Sequence, residues 1–365
     1  MQVQLPPSGA RDNLYISQNV GSACLEEQFR IFQPRFVVQY NSHCDDFGPA
    51  NISCILRFVN ALDEEFASNP GRKIVFCVEK GKKNLTNAVF LVGSYMIFKE
   101  NMTALEVRNC FGQINTDLLK TFRTATHEDD EFDIRLIDCW RGLAKAIKHG
   151  WLRNSSPKLG ISSVENYLQY GDPAQGDLHE VVPGKFIAFK GPVDLGDGRF
   201  CDTPSGVRLF SPCYYADILR ERGVSTVVRL NRPCYDAAAF TSRGFEHFDL
   251  PFDDCAAPPD GVVAAFLRIA DAAPGAVAVH CGDGLGRTGT LIALHLMRSH
   301  GFAAREAVGW LRIARPGSVG GGAQQGYLRR VSAVLRAGRR RPDDAPGARA
   351  GPPARGWEAA QRAGE

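Results

Sequence analysis

Two short apolar runs in the second half of the chain, VSTVVRLN at 224–231 and GAVAVH at 275–280, are continuous rather than alternating. Runs of this length, rich in β-branched residues, predict strands buried on both faces of a parallel sheet. Helical spacing follows each. After the second, TGTLIALHLMRSHG repeats its apolar positions at helical intervals and stops at Gly301, a helix C-terminal signal; AAREAVGWLRIAR predicts another helix. The first half repeats this order. Residues 71–107 set a strand, a Gly/Lys turn, an apolar helix and the start of a second, and lie over 275–308. Upstream, DDFGPANISCILRF echoes DDCAAPPDGVVAAFLRI. The pattern predicts an α/β protein of two tandem domains of one fold, each a mainly parallel central sheet flanked by helices. Expected divisions are a first domain over 1–150, a linker over 151–181 with one helical patch at 164–170, a second domain over 182–335, and a basic tail over 336–365 whose composition is that of disorder.

Composition changes this picture little. Hydrophobic residues make up 44% and charged residues 23% of 365, as in ordinary soluble globular proteins. The formal charge of +3 gives no footprint for nucleic acid, and no apolar run reaches the roughly 20 residues that span a bilayer. The start, MQVQLPPSGARDN, lacks a basic-then-apolar leader pattern. Eleven scattered cysteines, without a C-x-x-C, predict free thiols in a reducing compartment, nucleus and cytoplasm, and no metal site. Nothing in the sequence sets an oligomeric state.

The chemistry concentrates in VHCGDGLGRTG. Cys281, Gly282, Asp283, Gly284, Leu285, Gly286, Arg287 and Thr288 fit C-x5-R-[ST]. A strand delivers Cys281 to the sheet edge, five residues curl into a loop, and a helix begins near Arg287. The loop amides and the helix N-terminus then face a bound dianion. Glycines at 282, 284 and 286 let backbone approach it. The same field is expected to bring the cysteine below its ordinary pKa of about 8.5. Arg287 is spaced to hold two phosphoryl oxygens. Thr288 can hydrogen-bond the sulfur. His280 either orients the loop or is a satisfied core histidine. A literal G-x-G-x-x-G also runs from Gly284, but a dinucleotide fold wants an acidic residue about 20 positions on, at the end of a second strand. Glu306, near that position, sits in helical sequence. In the first copy the places matching Cys281 and Arg287 fall near Lys80 and Thr86, a scaffold without this chemistry. Transfer to sulfur needs a general acid for the leaving oxygen. LPFDDCAAPPDG offers Asp253, Asp254 and Asp260; the last is placed as a helix cap, and spacing does not separate the first two.

Together VHCGDGLGRTGTL, EAVGWLRIARPGSV with its following glutamines, VVPGKFIAF, and FTSRGFEHFDL resemble the cell-division-cycle-fourteen (mitotic-exit) dual-specificity protein phosphatases of the cysteine-dependent superfamily. DDFGPANISCILRF and LTNAVFLVGSYMI resemble that family's non-catalytic domain, so the likeness runs from about residue 35 to about 335. It implies a cofactor-independent enzyme with Cys281 as nucleophile, Arg287 binding phosphate, Asp254 rather than Asp253 as general acid, and Gln324 and Gln325 placing water. It further implies phosphoprotein substrates, phosphoserine followed by proline with a basic residue nearby, and opposition to cyclin-dependent kinases. Glu165, Asp172 and Asp177 are then expected to line the substrate groove. Three departures stand out. Gly282-Asp283 replaces the usual Lys-Ala, the segment before the glutamines is one residue longer, and Leu168 and Gly171 stand where groove glutamates are expected. The rivals are a phosphate-binding scaffold without turnover and a phosphoinositide phosphatase; Asp283 and Leu285, where that class carries lysines, argue against the latter.

Overall fold

The computed structural model describes residues 2–4, 13–18, 28–34, 47–123, 132–152 and 164–339; the tail beyond Arg339 lies outside them. In the first half, β1 (Gln2–Gln4), β2 (Leu14–Ser17), β3 (Phe29–Phe32) and β4 (Lys73–Cys77) form a sheet in the order β1-β2-β4-β3. Both neighbours of β4 run parallel to it, and β1 is an antiparallel edge. Around it lie α1 (Ile52–Ser68), α2 (Lys82–Lys99), α3 (Ala104–Cys110) and α4 (Leu136–Lys148). The α3 start is a capping box, with Thr103 and Glu106 satisfying each other's amides.

The second half opens with α5 (Val164–Gly171), β5 (Leu178–Val182), β6 (Phe186–Phe189), a hairpin of β7 (Phe200–Asp202) and β8 (Arg208–Phe210), and α6 (Pro212–Glu221). It continues through β9 (Val224–Arg229), α7 (Ala238–Thr241), β10 (Glu246–Asp249), α8 (Asp260–Ala272) and β11 (Ala276–His280). It closes with α9 (Gly286–Ser299), α10 (Ala304–Ala314) and α11 (Gly322–Arg339). The main sheet has the order β10-β9-β11-β6-β5, with only β5 antiparallel. All five residues of β11 are buried, as its unbroken apolar sequence requires. The strands end level, His280 beside both Phe189 and Arg229, so one sheet edge collects the loops that follow β6, β9, β10 and β11.

The duplicated unit is β4-α2-α3 against β11-α9-α10. The turn after β4 spans 78–81, one residue shorter than 281–285 after β11. Counted from the strand end, buried Val78 takes the place of Cys281; counted from the helix start, Lys83 takes that of Arg287. This corrects the expectation of Lys80 and Thr86. Lys83 lies over the Phe47 ring and Thr86 donates to Lys82 O, so neither turns into an anion loop.

The halves share one apolar core. Helices α4 and α10 cross between them at two glycines. A Cβ on Gly142 would sit 2.6 Å from Glu306 O, and one on Gly309 3.0 Å from the Cys139 Cα. Lys145 binds Glu306 at 2.7 Å, and the buried Trp310 indole donates to Val181 O. Helix α5 packs between α1 and β5 through buried Tyr167, which tilts against His179. Two expectations change. The final helix runs through Arg339, past the expected boundary at 336, because Leu335-Arg-Ala continues a favourable helical sequence. Asp260 is the first residue inside α8, after Pro259, and its side chain makes no cap; it accepts from the Tyr327 hydroxyl at 3.0 Å.

Candidate active site

The loop between β11 and α9 is built by turning its carbonyls outward. Gly282 O accepts from Gly191 N at 2.9 Å, Asp283 O and Gly284 O from the Arg315 guanidinium at 2.8 and 2.9 Å, and Leu285 O from Gly289 N at 3.0 Å. With these carbonyls engaged outside, the Thr288 amide meets the sulfur and the Leu285 amide meets the carboxylate beside it. Two glycines permit the packing. Gly284 has φ +70 and a Cβ there would fall 2.0 Å from Phe189 O; one on Gly191 would fall 2.1 Å from Cys281 O. His280 is both alternatives at once, a satisfied core residue that orients the loop. Its Nδ1 meets Cys281 O at 3.0 Å and its Nε2 meets the Tyr235 hydroxyl at 2.7 Å; that hydroxyl also meets His247 Nε2 at 2.9 Å. Burial pushes the His280 pKa down to about 3, so the imidazole is neutral and Nδ1–H donates to the carbonyl while Nε2 accepts from tyrosine.

Cys281 lies at the floor of the cup, 1% exposed. Its thiol donates to Asp283 Oδ1 at 3.3 Å, and the same oxygen accepts the Leu285 amide at 2.9 Å. A carboxylate from the loop thus takes an amide that an anion would use. Burial, and next the Asp283 charge, raise the thiol pKa; the Thr288 hydroxyl and amide, then Arg287, pull the other way. The direction is therefore the reverse of the expected depression. The cause is local: the cup seals the sulfur from water and supplies its own negative charge. The Thr288 hydroxyl, buried with no oxygen or nitrogen partner among the described residues, is left to the sulfur.

Arg287 is buried and turned into the site, its Nη1 donating to Phe252 O at 3.1 Å and its Nε 3.3 Å from Asp254 Oδ1. Of Asp253, Asp254 and Asp260, Asp254 is the one whose carboxylate reaches Arg287. It is otherwise open to solvent, with 72% of its side chain exposed. The two glutamines separate cleanly. Gln324 is 1% exposed and neither amide atom has a partner among the described residues; an added Cβ on Gly286 would lie 3.1 Å from its Oε1. Gln325 instead donates to Val319 O at 2.9 Å, so its amide is held away from the cup.

Sequence reasoning missed Arg315. Its buried guanidinium binds Asp283 O, Gly284 O, Asp177 O, Asp177 Oδ1 and His179 Nδ1, tying the loop to β5. The signal was available: in the predicted helix AAREAVGWLRIAR, Arg312 and Arg315 fall at helical spacing with Val308 and Leu311, where a charge requires a buried partner; in the structure Arg315 is the residue that ends α10. Tyr235 and Gly191 carried no such signal, since their partners are distant in sequence.

A model of the N-terminal half of dual specificity protein phosphatases matches residues 11–146. Residues 210–301 match a DSP-PTPase phosphatase of polymorphic toxin systems. The chain is 37% identical over 290 residues to dual specificity protein phosphatase CDC14C of Symphalangus syndactylus, covering 79% of this chain and 58% of that protein. To CDC14A of Mus musculus it is 35% identical over 298 residues, 81% of this chain and 48% of the other. To the tyrosine-protein phosphatase cdc-14 of Caenorhabditis elegans it is 38% identical over 296, 79% and 40%. Over about four fifths of its length the chain is similar to the CDC14 dual-specificity phosphatases. It spans about half the length of the curated relatives it matches.

Against the CDC14 pattern, the groove residues divide. Asp177, with φ +47, gives its carboxylate to Arg315 at 3.0 Å and is a structural anchor rather than a free groove acid. Asp172 accepts from Ala174 N and shapes a turn. Glu165 stands exposed on α5. Gly171 has a steric cause: a Cβ there would lie 2.5 Å from His179 Nε2, so the ring that supports Arg315 excludes a glutamate. Leu168 is 44% exposed on the same helix.

Proposed function

We propose that the chain is a dual-specificity protein phosphatase that works through a cysteinyl-phosphate. As a phosphoryl group displaces the Asp283 carboxylate from the Leu285 amide, Cys281 gives its thiol proton to that carboxylate, and the thiolate attacks phosphorus. The bond to the seryl, threonyl or tyrosyl oxygen breaks, and Asp254 gives that oxygen its proton. Loop amides and Arg287 hold the equatorial oxygens as charge spreads over them. Water, placed by the Gln324 amide, then attacks phosphorus. The S–P bond breaks, and Asp254 takes the water's proton. Substrates are phosphoproteins, foremost phosphoserine followed by proline, and the enzyme reverses cyclin-dependent kinase phosphorylation in the nucleus and cytoplasm. Resemblance supports these last points; the depleted groove acids weaken the demand for a basic residue beyond the proline.

One observation carries the reading: Cys281 and inward-turned Arg287 share a cup whose carbonyls are all tied outward. Asp283 on the thiol favours a second reading, a phosphate-binding scaffold. Turnover of a small aryl phosphate separates them. The enzyme reading expects turnover that Cys281→Ser abolishes; phosphate binding without turnover in the unaltered chain gives the scaffold.

A further inference from the structure

Gln324 reaches the cup from the first turn of α11, and the chain leading into that helix is held in an unfavourable backbone conformation. Val319 is buried, β-branched and not glycine, yet has φ +60. Side chains branched at Cβ rarely adopt that region. Its neighbours fix it from several sides. Val319 N donates to Leu285 O of the loop at 3.3 Å, and a Cβ on Gly289 of α9 would be 3.0 Å from its Cγ2. Its carbonyl accepts from Gln325 Nε2 at 2.9 Å and from Arg312 Nη2 at 3.1 Å. Arg312, 3% exposed, also donates from Nε to Ser318 O at 3.1 Å and from Nη1 to Phe122 O at 3.4 Å. Phe122 belongs to the first domain, where it pairs with Ile134. One guanidinium therefore bridges the first domain and the Ser318 and Val319 carbonyls, with Gly320 and Gly321 between them and the Gln324 helix.

We propose that Arg312 is a positioning residue for the second chemical step, and that the first domain, which lacks the nucleophile, acts in that step as the wall Arg312 braces against. The proposal rests on the cysteinyl-phosphate reading. It predicts that loosening Arg312 lets the turn at Val319 relax and carries the Gln324 amide away from Gly286. Attack of water on the phosphoenzyme then slows, while transfer to sulfur, which needs Cys281, Arg287 and Asp254, does not.

The test is rapid-mixing kinetics of the full chain with an aryl phosphate, reading the burst of phenol and the steady rate apart. Arg312→Lys keeps a charge in the interior and loses the fork; Arg312→Gln keeps length and loses the charge. The expected result in both is a steady rate at least tenfold lower with the burst rate within about twofold of the unaltered chain, matching Gln324→Ala. A second arm adds Val319→Gly, since glycine holds φ +60 without a brace. It should restore most of the steady rate to the Arg312→Lys chain. Equal loss of burst and steady rates, no loss at all, or no restoration by glycine would overturn the proposal. If Arg312→Gln does not fold, the lysine pair carries the comparison alone. Loss of all activity in Cys281→Ser with Arg312-independent kinetics would leave the phosphatase reading intact and remove only this inference.

Discussion

At the scale of single residues, the decisive contact is Asp283 on Cys281. Burial first, and then this carboxylate, raise the thiol pKa, and the carboxylate also takes the Leu285 amide, so it opposes both ionisation and anion binding. Asp283→Ala should remove both effects. With a negative charge gone the thiolate forms at lower pH, so the acid limb of kcat/KM moves down and inorganic phosphate binds several-fold more tightly. Alkylation of Cys281 across pH, followed by intact mass, checks the first effect directly. An acid limb that stays put, or moves up, would show that Asp283 does not set the thiol. The sequence made Asp283 legible as a departure, because a carboxylate inside an anion loop is a conflict of charge that needs no coordinates. That Arg315 needs a buried partner was legible, but the carbonyls it clamps, and the different settings of Gln324 and Gln325, were not. Both depend on which carbonyl a side chain meets, and no spacing rule fixes that.

Among elements, the α4–α10 crossing joins the halves. Gly142→Ala tests it with two opposed effects of known size. Alanine gains about 1 kcal/mol of helix propensity over glycine. The new methyl would lie 2.6 Å from a backbone oxygen that cannot swing away, a kind of overpacking that costs about 1–3 kcal/mol. Net destabilisation is expected, seen as a lower denaturant midpoint at unchanged slope; a higher midpoint would mean the helices part freely. Strands and helices here were largely readable. β4, β9 and β11 announce themselves by unbroken β-branched runs, and α9 by its spacing and Gly301. The crossing was not readable, since a glycine inside a helical pattern looks the same whether it faces solvent or another backbone.

For the whole molecule, acid stability follows from buried neutral histidines. His280 and His295 are pushed down to about 3, and His179 well below its ordinary value, in each case first by burial. In the unfolded chain these rings take protons below about 6.5. Between that value and about 3 the unfolded state binds more protons, so stability falls as pH drops through this window. The melting temperature should be lower at pH 5 than at pH 7; an equal or higher value would mean the rings are open to water. Tandem organisation was visible in the repeated order of runs. The shared core was not, because two domains on a linker and two domains fused through α4 and α10 give the same patterns along the chain.

All of these levels meet at the sulfur of Cys281. The most direct measurement is to mix the chain with a phosphorylated substrate, quench within the turnover time, and locate phosphorus by peptide mass spectrometry. The account expects phosphate on Cys281 and nowhere else. Turnover with phosphate found on another side chain, or with Cys281 unmodified throughout, would contradict it.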